Sequence, residues 1–160
     1  MERQLSHLSN YVVARLKIGS QCLSGSGLVA GEHVTSAGCS GSTPKYDVTA
    51  ESTFSGGFSF RRDDSQLCLY WGLYNKVYLE PCPQTMTERY IFTLGGNGRL
   101  KGWSGDTCIE QTNGFFWTAS CSTVTQQIRY FDDGEGGNEY GLFTPHPPPP
   151  PPRLPVTVLH

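Results

Sequence analysis

Residues 66–82 read QLCLYWGLYNKVYLEPC. The stretch opens as an apolar strand around Cys68, runs through the loop YWGLYNK, and returns as the alternating strand Val77-Tyr78-Leu79 just before Cys82. Alternation of this kind marks a half-buried strand. Two cysteines so placed either staple a hairpin or contribute to a metal site, and the choice depends on whether the rest of the chain repeats the arrangement.

It does. The six cysteines fall into three successive pairs, Cys22 with Cys39, Cys68 with Cys82 and Cys108 with Cys121, separated by 17, 14 and 13 positions. A branched aliphatic residue follows the first of each pair: Leu23, Leu69 and Ile109. Five positions before the second stands an apolar residue: Val34, Val77 and Phe116. Aromatic-rich strands separate the pairs, KYDV and GGFSF in the first unit, RYIFTL in the second and QIRYF in the third. Turns such as GGNGRL and DDGEGGNEYGL introduce a final short strand. Successive first cysteines lie 46 and 40 positions apart, a spacing that marks an internally repeated fold.

Composition bounds the answer. A chain of 160 residues accommodates one domain, and its 19 glycines with only 16% charged residues suit short strands joined by turns. A net charge of -2 gives no electrostatic drive toward nucleic acid. No run reaches the ~18 apolar residues of a membrane span. Zinc ligands come as Cys-x2–4-Cys or with neighbouring histidines, and no two cysteines lie that close, so no metal and no cofactor are expected.

Twelve short strands with threefold similarity predict an all-β protein, a β-trefoil of three four-strand repeats in which six strands close a barrel and three hairpins cap it. A β-sandwich is the alternative fold. NYVVARL and EYGLF complete the figure at the two ends. The expected organisation is an N-terminal extension over 1–9, the trefoil domain over 10–144 and a proline-rich tail over 145–160.

Cysteine pairs with Cys-Leu at the first member and Val-x-Leu-x-x-Cys at the second, followed by Gly-x-Leu and Cys-Ile in GNGRLKGWSGDTCIE, resemble the ricin B-type lectins. The likeness covers about residues 16–143. It implies three disulfides, Cys22-Cys39, Cys68-Cys82 and Cys108-Cys121, the second tying the two strands of one hairpin with YWGLYNK at its tip. Closing a loop of ~15 residues is worth ~3 kcal/mol in the chain-entropy model. An even set of cysteines also favours an oxidising compartment and a secreted protein. The stretch MERQLSHLSNYVVARLKIG lacks an apolar core of signal-peptide length, which implies a removed signal or an unusual export route.

Members of that family usually carry Gln-x-Trp after the second cysteine of each unit, and no copy is intact here. Phe92 is expected in the tryptophan's core slot of the second unit, whereas Gln127 keeps only the glutamine in the third. Galactose-binding members place an acid two positions after the first cysteine, an aromatic platform before the second, and an amide beyond. Ser24 replaces the acid in the first unit, and Tyr70 with Glu80 breaks the pattern in the second. The third keeps an acid in Glu110, amides in Gln111, Asn113 and Gln127, and a displaced platform in Trp117. Sugars are held by an aromatic face together with carboxylate and amide hydrogen bonds, so the resemblance implies a glycan or glycoprotein partner through these residues. Core packing is the competing role for Trp117. Phe116 and Trp117 point to opposite faces, and if Phe116 is buried, Trp117 faces out.

Tyr70, Trp71, Tyr74 and Tyr78 surround the second hairpin, either as core residues or as an exposed patch for a protein or glycan partner. Trp103 reads as packing. No hydrolase, zincin, P-loop or dinucleotide motif occurs, and the acid pairs Asp63-Asp64 and Asp132-Asp133 sit in turn-like sequence, so no enzyme is expected. The end, PHPPPPPPRLPVTVLH, favours polyproline II, as a stiff spacer, a strap on a partner subunit or a ligand for an SH3-like groove. The whole is similar, more distantly, to the lectin-like binding subunits of cytolethal distending toxins, which implies a toxin or enzyme partner chain. A trefoil protease inhibitor is a third reading.

Overall fold

A computed structural model of the protein describes residues 13–25, 29–132 and 138–141. The expected extension over 1–9 and the tail over 145–160 lie outside the described residues. What is described is all-β, with three single-turn 3-10 segments and no α-helix among the described residues.

Chain order gives β1 (Val13–Ile18), β2 (Gln21–Leu23), β3 (Glu32–His33), β4 (Ser36–Ala37), β5 (Tyr46–Ala50), β6 (Phe58–Arg62) and β7 (Leu67–Trp71). There follow β8 (Val77–Pro81), β9 (Phe92–Leu94), β10 (Leu100–Gly102), β11 (Cys108–Thr112), β12 (Phe115–Ala119), β13 (Ile128–Asp132) and β14 (Asn138–Gly141). All join one antiparallel sheet whose main path is β12-β11-β10-β9-β6-β5-β1-β13-β14. The two separate sheets of a sandwich do not occur among these strands. β1 pairs with β5 through Ala14↔Tyr46 and with β13 through Ile18↔Ile128, so the first strand joins the early and late parts of the chain.

Three hairpins carry the cysteines, β2 with β4 and β7 with β8 off that path, and β11 with β12 at its end. Each carries one disulfide, Cys22-Cys39, Cys68-Cys82 and Cys108-Cys121, as the repeat implies. The first hairpin departs from the other two. Its returning strand is broken into two-residue pieces, because β3 pairs with β8 while β4 pairs with β2. The RYIFTL segment also differs from a plain strand, since Glu88–Tyr90 is a 3-10 turn and only Phe92–Leu94 is extended.

Alternation places the core. Ala14, Leu16 and Ile18 of β1 point inward, and the largest fully buried side chains include Tyr46, Phe60, Phe92, Phe116 and Tyr130. Val34, Val77 and Phe116, the three apolar residues set five before each second cysteine, are 0%, 1% and 0% exposed. They meet at one junction. Val34 N donates to Val77 O at 2.9 Å, and Phe116 N donates to Val34 O at 3.1 Å, so the backbone of the first unit is tied to both others. Buried amides require such partners.

Among the described residues, Arg62 is the buried charge. It is 4% exposed at the end of β6, holds both Asp64 oxygens at 2.9 and 2.8 Å, and donates to Gly25 O at 2.6 Å.

Candidate functional site

The third hairpin begins with a two-residue turn. Asn113 and Gly114 both have positive φ, 53° and 80°, the combination that Asn-Gly adopts most readily and that matches the strand twist. Asn113 therefore sits exposed at the tip. The turn sets the register Thr112↔Phe115, Gln111↔Phe116, Glu110↔Trp117. Directly opposed residues share a face. Glu110 and Trp117 consequently stand side by side on the outer face, half-buried, while Phe116 enters the core. Trp117 thus faces out. Its indole N–H donates to Thr112 O at 3.1 Å, which fixes the ring, and the Glu110 carboxylate has no hydrogen bond or ion pair among the described residues.

Gln111 belongs to the opposite face with Phe116, and its amide reaches Ser36 Oγ at 3.5 Å. Gln127 lies against Gly98 and accepts from Arg129 at 3.1 Å. The amide that engages the hairpin is the preceding one. Gln126 Nε2 donates to Gln111 O at 3.0 Å, and Gln111 N donates to Gln126 Oε1 at 2.6 Å. Two residues further on, Ile128 is 2% exposed. Of the five residues expected at this site, the fold unites Glu110 with Trp117, puts Asn113 at the tip, and sends Gln111 and Gln127 elsewhere.

The aromatic cluster of the second hairpin divides. Trp71 is 4% exposed, donates from Nε1 to Ile91 O at 2.8 Å, and is core, not patch. Tyr74 is 81% exposed at the tip. Tyr70 and Tyr78 are cross-strand neighbours that begin a row. Tyr70 meets Tyr90 edge-on at 5.0 Å, Tyr78 lies 6.1 Å from His33, and His33 stacks on Phe115 at 4.4 Å and meets Trp117 edge-on at 4.6 Å. The row runs across all three units. Sequence reasoning missed Tyr90, His33 and Phe115, because only the pairing His33↔Tyr78 between β3 and β8 brings the first unit into the row.

His33 is held at its ring. Nε2 lies 2.8 Å from Phe116 O, so this nitrogen carries the proton in the neutral tautomer. Burial lowers its pKa below the usual histidine value, the Phe116 carbonyl opposes that shift, and the Lys76 ammonium adds to it.

In the first unit, Ser24 contributes its carbonyl to the Tyr46 hydroxyl at 2.8 Å. Trp103 meets Phe54 edge-on at 5.3 Å and packs against the core as expected. No group of three or more potential metal ligands occurs among the described residues, and none of the helical segments is long and apolar enough to cross a membrane.

Comparison with family models, with curated proteins and with solved structures returns no match.

Proposed function

We propose that the chain is a secreted, non-enzymatic carbohydrate-binding protein, a divergent ricin B-type lectin on a β-trefoil body. The observation that carries the reading is the pair Glu110 and Trp117, a carboxylate without a hydrogen bond or ion pair among the described residues beside a fixed, outward-facing indole. Such a pair offers hydroxyl acceptors next to an apolar face, which is what a pyranose ring presents in complement. The trefoil is supported by three disulfide-tied hairpins and by the neighbour relations β13-β1-β5-β6-β9-β10, the order in which six barrel strands would follow one another. The family likeness is supported by Gln126 and Ile128, which stand as Gln-x-Ile where a lectin repeat carries Gln-x-Trp. Three disulfides are compatible with export.

The test is a glycan array with the intact, oxidised protein and with Glu110→Ala and Trp117→Ala. Binding that both substitutions abolish supports a lectin with its site in the third hairpin. Binding unchanged in both refutes that site.

A second reading, a cell-binding or docking subunit of a larger complex, is favoured by the tip of the second hairpin, where Tyr74 is 81% and Leu73 51% exposed. Large exposed side chains at one tip form the usual anchor of a protein contact. Co-purification of a partner that is lost in Leu73→Ser/Tyr74→Ser but kept in Glu110→Ala supports docking in place of sugar binding.

A further inference from the structure

Away from the third hairpin, a polar concavity of about 420 Å³ opens where β5 and β6 face the Cys68-Cys82 disulfide and the chain that follows it. Its floor is built by register. Asp47 lies opposite Arg61 and Thr49 opposite Ser59, with Glu51 continuing the same row just past the end of β5.

Two of these contacts are set from within the fold. Ser59, 4% exposed, donates to Glu51 Oε2 at 2.7 Å, and Arg61 Nη2 reaches Asp47 Oδ2 at 3.2 Å. At the rim, the Thr49 hydroxyl and the side-chain amides of Gln66 and Gln84 line the space and make no hydrogen bond among the described residues. Pro83, Met86 and the disulfide supply the remaining, apolar wall.

Charge decides what fits. An anion would meet Asp47 and Glu51, and a cation would meet the Arg61 guanidinium. Guanidinium and amide N–H groups donate, the carboxylates and amide oxygens accept, and the hydroxyls do both. A ligand that satisfies this mixture is neutral and carries many hydroxyls, each able to donate and accept. The volume falls within the range of small-molecule sites. We infer that the concavity between β5, β6 and the second disulfide binds one neutral sugar residue of a glycan. This site shares no residue with the Glu110–Trp117 pair and does not depend on it.

The test is a residue-resolved NMR titration of the full, oxidised chain with methyl β-galactoside, methyl α-mannoside and N-acetylglucosamine, with lysine methyl ester and sodium sulfate as charged probes. At least one neutral sugar should shift the amides of Thr49, Glu51, Ser59 and Arg61 saturably, with a roughly millimolar Kd, and more strongly than either charged probe. Gln84→Ala, at an exposed side chain without internal bonds, should weaken those shifts about fivefold, the loss of one net hydrogen bond. Glu110→Ala should leave them unchanged. No saturable shift in this group with any of the three sugars overturns the inference, as does stronger binding of a charged probe or insensitivity to Gln84→Ala. Shifts confined to the third hairpin overturn it while sparing the Glu110–Trp117 site, and shifts confined to the concavity support it while refuting that site.

Discussion

Gln126 closes a two-bond clamp on the peptide of Gln111, donating from Nε2 at 3.0 Å and accepting at Oε1 at 2.6 Å. The clamp couples the third hairpin to the approach of β13, and Gly19 leaves room for it, since a Cβ there would stand 2.9 Å from Gln126 Cδ. Each half-buried bond contributes about 1 kcal/mol. Gln126→Ala should therefore lower stability by about 2 kcal/mol in chemical denaturation at constant disulfide content. Gln127→Ala, at an exposed neighbour, should stay within about 0.5 kcal/mol.

Gly102 marks a place where space, not backbone conformation, demands glycine. A Cβ there would lie 2.8 Å from two ring atoms of Trp71, whose Nε1 is already committed to Ile91 O. The ring cannot retreat without losing that bond. Gly102→Ala should cost about 1–3 kcal/mol, the usual penalty of overpacking, and should change the tryptophan fluorescence of the folded protein.

Tyr46 is fully buried beneath the first hairpin and donates to Ser24 O at 2.8 Å. Burial pushes its phenol well above the usual tyrosine value, with the nearby Arg62 guanidinium opposing and Asp64 and Glu32 reinforcing the shift. Because the folded state keeps this proton longer than the unfolded state, the stability it confers is complete below about pH 10 and is lost as pH rises beyond it. Denaturation midpoints measured from pH 8 to 12 should fall above pH 10. Tyr46→Phe should flatten that decline at the expense of a lower plateau.

His33 behaves in the opposite sense. Its lowered pKa means that the unfolded chain takes up the proton first as pH falls, so its contribution to stability is present above about pH 6.5 and is lost on acidification through the folded value. NMR titration of the imidazole should give a midpoint below 6.5. Lys76→Ala removes one cause of the shift and should raise the midpoint, while burial keeps it under the value of a free histidine.

The three cysteine pairs, the apolar residues five before each second cysteine, and the alternation of β8 were all legible in the chain. They are local, periodic signals, because a strand turns every second side chain to one face wherever it lies. The outward direction of Trp117 followed from the same rule once Phe116 was buried.

Relations between distant segments were not legible. Sequence placed Gln127, not Gln126, in the signature position, since neighbouring glutamines differ only by which one the approach of β13 aims at Gln111. Trp71 could be read as core or as patch, because the hydrogen-bond partner that decides it is Ile91, twenty residues on. His33 had no assigned role, and its ring acquires one from Phe115 and Trp117, more than eighty positions away. The sequence alone determined an all-β chain of three cysteine-paired units with an acid and an aromatic residue in the third. Tertiary structure alone decided which side chains of different units meet at the junction, in the aromatic row and around the β5–β6 concavity. Those meetings depend on register between strands remote in sequence, where a shift of one residue would reverse every face.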